Sequence, residues 1–290
     1  MEMPFDIKDI QVHRPLNEIL LSSSNLESIV KNTNPYVVVM ALKSKFNIFK
    51  GIGPVTEKTI NNAGIFNWHD FIESRGVRGL SHILYVSTCK QIEEWLLALE
   101  NTDAKFFASN LPSSMHWMLF KEFKEHVCYL DIETTGLAAG YDKVTVVGIY
   151  NGSSYQDFVR GRNLSQKTIK ESLKGCKLLV TFFGSCFDVP FLRTEFSGIN
   201  FNMPHFDLCF GGRKVGLTGG LKKLERKLDI SRDSTISTVD GFEAVRLWHS
   251  YKRGNQKSLE KLLDYCKADT INLSKLGPII YDMLLKSQEN

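Results

Sequence analysis

Two acidic residues separated by one isoleucine are the feature of this sequence that most directly suggests chemistry. Asp131 and Glu133 stand at the end of an apolar run in YLDIETTGL, residues 129–137. Side chains at positions i and i+2 of a β-strand point to the same face, and on a core strand that face should be apolar. Two like charges there repel each other unless a cation, such as a divalent metal ion, lies between them. The spacing therefore indicates a metal site, with a solvated strand end as the simpler alternative.

Further acidic residues could complete such a site. Asp188 follows a second apolar strand in TFFGSCFDVPFL, where Pro190 indicates the first turn of a helix that Asp188 could equally cap. Asp269 lies four residues after Tyr265 in a helical stretch, so the two side chains share one helix face, which could also face solvent. Four carboxylates can hold two hard cations, Mg²⁺ or Mn²⁺, about 4 Å apart for phosphodiester hydrolysis. Tyr265 could then orient the attacking water.

These motifs, in this order, resemble those of the DEDD superfamily of 3′-to-5′ exonucleases, which have the ribonuclease-H-like fold. LDIETTGL resembles the first motif, FDVPFL the second and YCKAD the third. Tyr265 occupies the place expected in the tyrosine subclass, DEDDy, whereas the position of the histidine in the other subclass is Asp264. The closer resemblance is to predicted prokaryotic exonucleases related to the proofreading domain of family B DNA polymerases. It runs from about residue 110 to 275. The resemblance implies metal-binding and catalytic roles for Asp131, Glu133, Asp188 and Asp269, and a catalytic role for Tyr265.

Some positions depart from that family pattern. Related sequences often have Asn-Gly before the second motif, where this chain has Phe183-Gly184, and Asn after the third-motif tyrosine, where this chain has Cys266. These changes leave room for a nuclease-derived module that binds nucleic acid without cutting it, although the intact ligand set favours activity. His205 and Asp207, in HFDL, could support the site or bind substrate, or they could form a satisfied pair on a strand.

A glycine-rich turn in the first half, FKGIGPVTEKTINNAGI at residues 49–65, resembles a helix-hairpin-helix motif, which binds the DNA backbone independently of sequence. Backbone amides at a helix N-terminus can approach a phosphate oxygen when no side chain intervenes. Ile52 would pack inside the hairpin. The alternative is a hairpin used for packing or for docking a partner protein. The predicted phosphate contacts are Gly51, Gly53, Thr56 and Lys58.

A basic stretch, RKVGLTGGLKKLERKL at residues 213–228, contains a single acid, Glu225. Leucines recur in it at helical spacing, which places the basic side chains on the outer face of a helix. Lys222 and Lys223 are therefore predicted to contact a nucleic-acid backbone, with a solvated helix face as the alternative.

The order of elements predicts two domains. Residues 1–104 are helical in pattern and are predicted to form a small all-α domain, which the resemblance of residues 49–65 makes a helix-hairpin-helix domain. Residues 105–290 are predicted to form the second domain, which the exonuclease resemblance makes ribonuclease-H-like. In the second domain strands come first as a meander and then alternate with helices, which predicts an α/β fold with a mixed sheet flanked by helices.

The composition of the chain limits the classes of protein to which it could belong. The 290 residues carry a net charge of +4, and the basic excess lies in the second half. The 6 cysteines are scattered without metal-site spacing, and neither a signal peptide nor a membrane span is evident, so we expect a cytoplasmic protein without a membrane partner. The sequence predicts a metal-dependent 3′-to-5′ exonuclease acting on single-stranded DNA or 3′ ends, with a possible DNA-repair or replication protein as partner. An RNA-trimming exonuclease is the alternative enzyme.

Overall fold

The computed structural model describes residues 41–288, and a 5-stranded sheet lies at its centre. In chain order the strands are Val127–Thr134 (β1), Val144–Tyr150 (β2), Tyr155–Val159 (β3), Leu178–Thr181 (β4) and His205–Asp207 (β5). The α-helices of this part of the chain are Pro54–Asn62 (α1), Trp68–Glu73 (α2), His82–Glu100 (α3), Ala104–Asn110 (α4), Gln166–Ser172 (α5), Asp188–Glu195 (α6), Leu208–Lys214 (α7), Leu221–Lys227 (α8), Gly241–Lys252 (α9) and Gln256–Lys286 (α10). Two 3₁₀ segments, Ser113–Leu119 and Lys124–His126, precede β1. None of the helices in residues 41–288 is long and apolar enough to cross a membrane.

The sheet is mixed, with strand order β3-β2-β1-β4-β5. Strands β1, β2 and β3 form an antiparallel meander, whereas β4 pairs parallel with β1 and β5 pairs parallel with β4. Parallel neighbours need a crossover connection, and helices α5 and α6 occupy the chain segments that lead to β4 and β5. The predicted α/β fold, a mixed sheet flanked by helices, is confirmed.

The central strands are covered on both faces. All residues of β4 are buried, and β2, with the sequence VTVVGIY, is buried at every position except its last. Runs of β-branched residues without alternation are typical of such strands. The long helix α10 packs against β1 and β2, so the middle of the sheet and the C-terminal helix meet where the acidic motifs lie.

The helices that precede the sheet share its hydrophobic cluster. Residues 41–126 contain α1 to α4 and no strand. Within them, Trp68 and Trp95 pack edge to face with ring centroids 6.0 Å apart. Both belong to one cluster with Val127 of β1 and Leu276 of α10. The domain boundary near residue 105 stays a prediction, and residues 1–40 of the predicted helical domain lie outside the described residues.

Candidate active site

One cavity of about 240 Å³ gathers the acidic motifs. It opens between the C-terminal end of β1, the start of α6 and the middle of α10. The structure brings together in its lining all the residues that the sequence predicts for catalysis, namely Asp131, Glu133, Asp188, Tyr265 and Asp269.

Asp131 and Glu133 reach the cavity from the central strand of the sheet. Both side chains lie on the same face of β1, as their i, i+2 spacing predicts. Glu133 is buried and Asp131 half-buried, so the pair does not form a solvated strand end. The pairing of β1 with β2 becomes irregular directly after Glu133, where the strand leaves the regular ladder at the cavity.

Asp188, the first residue of α6, is joined by its carboxylate to β1. Its Oδ1 accepts a hydrogen bond of 3.1 Å from the backbone N–H of Ile132, the residue between the two acids of the first motif. The N-cap of α6 is Phe187, which makes no capping bond with its side chain. The capping role considered from sequence is therefore not what the side chain does. The carboxylate connects α6 to β1 and lies beside Asp131 and Glu133.

Tyr265 and Asp269 approach the sheet because a glycine opposes Asp131. Gly148 of β2 pairs with Asp131 in the antiparallel ladder. A Cβ atom at position 148 would lie 2.9 Å from the sulfur of Cys266 and closer still to the hydroxyl of Thr270, both on α10. The missing side chain thus allows α10 to lie close against β1 and β2, which places its buried face in the cavity.

Burial raises the pKa of every carboxyl group in the cluster. The pKa of Asp188 rises to about 7, mainly through loss of hydration. For Asp131 and Glu133, burial raises the pKa well above its usual range, and the charges of Asp269 and Asp188 raise it further. Burial also raises the pKa of Asp269, although the nearby Arg232 opposes the shift. The four carboxyl groups therefore resist ionisation together, because burial, with mutual repulsion added at Asp131, Glu133 and Asp188, disfavours their charged forms.

The donor atoms fit a hard divalent cation. One ligand atom each of Asp131, Glu133 and Cys266 lie within 4.8 Å of one another. Burial raises the pKa of the Cys266 thiol well above its usual range, so the sulfur stays protonated and is a poor ligand. Oxygen ligands suit Mg²⁺ and Mn²⁺, and a cation among the carboxylates would relieve the repulsion that raises their pKa.

Arg232 is a member of the site that the sequence did not reveal. Its guanidinium is buried and donates to Asp269 and, through two hydrogen bonds of 3.0 and 2.7 Å, to Glu225. Asn272 donates to the same Glu225 carboxylate at 2.9 Å. Glu225 is thus buried behind the site rather than on the basic face of α8. The one feature of the sequence that could have indicated this buried pair is Glu225 itself, a single acid in a basic helix.

The predicted nucleic-acid-binding residues fall in different places. Neither lysine lines the cavity, but the Nζ of Lys222 lies 4.7 Å from the centroid of the Tyr265 ring, which does. Lys223 is exposed. Gly51, Gly53, Thr56 and Lys58 also lie outside the cavity lining, where α1 begins.

The hairpin itself has the predicted local packing. Ile52 is buried, and Gly51 adopts a φ of 92°. A Cβ atom on Gly51 would lie 2.8 Å from Leu84 of α3, so the glycine serves close packing as well as the turn. The described segment before Gly51 consists of turns, and the helix-hairpin-helix assignment stays a prediction.

His205 and Asp207 have structural contacts. Asp207 accepts hydrogen bonds from the backbone N–H groups of Phe183 at 2.8 Å and Ser185 at 3.0 Å, so it holds the loop between β4 and α6. His205 Nε2 is hydrogen-bonded to Thr181 Oγ1 at 2.8 Å. Burial lowers the pKa of His205 to about 4, so its ring is neutral near pH 7. Asp207 thus holds the loop that leads to Asp188, whereas His205 is bound to β4.

Comparison with known proteins identifies the family. A family model described as the RNase_H superfamily matches residues 128–281, more than half of the chain. The chain belongs to the ribonuclease H superfamily. Brucella melitensis NrnC with bound Mg²⁺ is similar, with 23% identity over 58% of this chain and 78% of that chain, at a TM-score of 0.41.

Two further solved structures are similar over part of their length. The family B DNA polymerase of Pyrobaculum calidifontis has 14% identity over 52% of this chain and 23% of that chain, at a TM-score of 0.41. Escherichia coli RNase D, an exoribonuclease involved in structured RNA processing, has 14% identity over 60% of this chain and 48% of that chain, at a TM-score of 0.37. No curated protein gives a significant match to the sequence.

Proposed function

We propose that this member of the ribonuclease H superfamily is a metal-dependent 3′-to-5′ exonuclease of the DEDDy type. One observation carries the proposal: a single cavity collects Asp131, Glu133, Asp188, Tyr265 and Asp269 from three separate elements of the fold. Four carboxylates around one small cavity suit two-metal hydrolysis of a phosphodiester. The DEDD-type motif order supports the 3′-to-5′ direction.

The four carboxylates are the proposed metal ligands, and Mg²⁺ or Mn²⁺ the proposed ions. Such ions, when bound, lower the pKa of water and stabilise negative charge on phosphoryl oxygens. The contribution of the chain is to hold the ligands in place. The hydrogen bond from Ile132 to Asp188 and the close packing of α10 on Gly148 set their positions before any substrate arrives.

Tyr265 is proposed to orient the attacking water. Burial raises the pKa of its hydroxyl, and the charges of Asp269, Glu133 and Asp131 raise it further, so the group keeps its proton at neutral pH. A protonated hydroxyl can donate a hydrogen bond to the water or to a phosphate oxygen. Lys222, beside the Tyr265 ring, adds positive charge where the phosphate backbone would lie.

The proposed substrate is a single-stranded DNA end. The cavity volume of about 240 Å³ lies below the roughly 300 to 1,000 Å³ typical of ligand pockets, so it suits one reacting nucleotide rather than a duplex. The resemblance of residues 49–65 to a helix-hairpin-helix motif supports DNA rather than RNA. A repair or replication protein is the proposed partner class, and the cytoplasm the proposed location.

The test is degradation of 5′-labelled single-stranded DNA by the purified protein with Mg²⁺ or Mn²⁺. We expect a ladder that shortens from the 3′ end and is abolished by EDTA, by Asp131→Asn and by Asp269→Asn. Asp264→Asn is the matched control, because Asp264 lies on the same helix but is exposed, and it should cut like the wild type.

Additional substrates separate the alternatives. A circular single strand has no end, so its cleavage would show an endonuclease instead. RNA of the same sequence, if degraded faster than DNA, would assign the RNA-trimming function. Binding without cleavage of any of these substrates, with either metal, would contradict the exonuclease and support the nuclease-derived binding module.

A further inference from the structure

An exposed phenylalanine with an unusual backbone conformation stands at the mouth of the cavity. Phe183 follows β4, lines the same cavity as the carboxylates and is 41% exposed. Its φ of 65° is in the left-handed region, which bulky residues avoid and glycine or asparagine adopt readily. A conformation of this kind persists only where the surroundings impose it.

The surroundings of Phe183 do impose it. Asp207 Oδ1 accepts a 2.8 Å hydrogen bond from the Phe183 backbone N–H, and Asp207 Oδ2 accepts from the hydroxyl of Ser185 at 2.6 Å. The N–H of Gly184 donates to Thr181 Oγ1 at 3.1 Å. The backbone is thus held on both sides of the residue, which fixes where the aromatic side chain begins.

A second aromatic ring and two cations continue the surface. The Phe210 ring centroid lies 5.9 Å from that of Phe183, with the two planes inclined by 32°. Phe210 lines a neighbouring cavity of about 360 Å³, together with Lys214. The guanidinium carbon of Arg213 lies 5.2 Å from the Phe210 ring centroid. Aromatic faces flanked by cations are the usual means of binding single-stranded nucleic acid without reading its sequence.

We propose that Phe183 is a specificity-determining residue that stacks on the base of a nucleotide next to the scissile phosphate. The inference rests on the proposed exonuclease function, because it places that phosphate at the carboxylates. A base can stack on Phe183 only when it is unpaired. Phe183 therefore selects frayed or single-stranded 3′ ends over duplex ends, without preference among bases, and Phe210 continues the path of the strand towards Lys214.

The test variant is Phe183→Asn, which removes the aromatic ring but is compatible with the positive φ at this position. Asparagine tolerates a positive φ, so the variant should fold with a melting temperature at or above that of the wild type. With single-stranded DNA we expect KM to rise roughly 5- to 150-fold, the range found when one stacked base is lost, with a smaller effect on kcat. Phe66→Asn is the matched control, since Phe66 is 62% exposed and lines neither cavity, and its KM should not change.

Substrates with an abasic site separate stacking from a structural effect. Two DNA substrates carry an abasic site at the last or at the second-last 3′ position. For the wild type, one of these substrates should have a higher KM than intact DNA. For Phe183→Asn, that same substrate should have the same KM as intact DNA, because the stacking contact is already lost. Independent losses at both positions, or a wild-type KM in the variant, would overturn the inference.

A binding measurement distinguishes failure of this inference from failure of the proposed function. DNA with 2-aminopurine at the 3′ end should lose fluorescence on binding to Asp131→Asn protein, and far less on binding to the Asp131→Asn, Phe183→Asn double variant. If the wild type fails to cut but the quenching depends on Phe183, the exonuclease proposal fails and the stacking role stands. If the wild type cuts but the Asp131→Asn protein and the double variant quench the fluorescence equally, the stacking role is wrong and the exonuclease proposal stands.

Discussion

The buried cation behind the cluster offers the sharpest test of how the site is held together. Arg232 is 6% exposed in its side chain and Glu225 3% exposed, and two hydrogen bonds of 3.0 and 2.7 Å join them. The same guanidinium also pairs with Asp269. Replacing Arg232 by Met keeps much of the volume but leaves Glu225 with Asn272 as its remaining side-chain donor among residues 41–288. The variant thus contains a buried carboxylate that has lost its countercharge.

The expected loss of stability can be worked out from these contacts. Removing one partner of a buried ion pair costs about 3 to 5 kcal/mol, because the other charge stays desolvated. Arg232→Met should therefore lower the free energy of unfolding by about that amount when no divalent ion is present. Replacing Glu225 by Leu in the same protein removes the stranded charge, so the double variant should recover part of the loss.

Urea denaturation followed by circular dichroism in EDTA measures this difference. The matched control is Arg246→Met, in which an arginine 70% exposed loses a 2.7 Å contact with Glu243. An exposed pair contributes about 0 to 1 kcal/mol, so the control should unfold close to the wild type. If Arg232→Met also stays within about 1 kcal/mol of the wild type, the network does not stabilise the site and the reasoning is wrong.

Further predictions address the packing, the charge and the substrate contacts of the site. Gly148→Ala should displace α10 and lower kcat by about 100-fold. Gly220→Ala is the control and should keep the wild-type rate, because its Cβ would meet no atom of residues 41–288 within 4 Å. A wild-type rate in Gly148→Ala would contradict the role given to Gly148. The pKa of Asp188 is raised to about 7 from an ordinary 3.8, so the folded state binds the proton more tightly and stability should fall as pH rises through this range. The buried His205, with a pKa lowered to about 4, has the opposite pH dependence over part of this range, so the wild type is compared with Asp188→Asn, which keeps His205. Scanning calorimetry in EDTA from pH 5 to pH 8 should show a melting temperature that falls relative to that of the variant, and Mg²⁺ should reduce the fall. A wild-type melting temperature that rises relative to the variant would refute this. Lys222→Met should raise KM and reduce the salt dependence of oligonucleotide binding by about one phosphate contact. Both effects should be larger than those of Lys223→Met. Equal effects of the two substitutions would contradict the placement of Lys222 beside Tyr265.

Local pattern was enough to predict the elements that carry the site. The apolar run before Asp131, the meander that follows it and the helical spacing of the C-terminal stretch all depend on neighbours a few positions apart, which the periods of strands and helices govern. The shared face of Asp131 and Glu133 follows from the two-residue period of a strand, and that of Tyr265 and Asp269 from the turn of a helix.

Contacts between distant parts of the chain could not be predicted from local pattern. The amide that binds the Asp188 carboxylate belongs to Ile132 on another element, and the glycine that admits α10 is recognisable only once β2 pairs with β1. Arg232 shows the same limit, because nothing in its local sequence indicates burial, and only folding places it between Glu225 and Asp269. The residue types of the site and the faces on which they lie could be predicted from local pattern, because the periods of strands and helices depend on near neighbours. Which groups meet, and how far burial shifts their pKa values, depended on desolvation and packing between elements far apart in the chain.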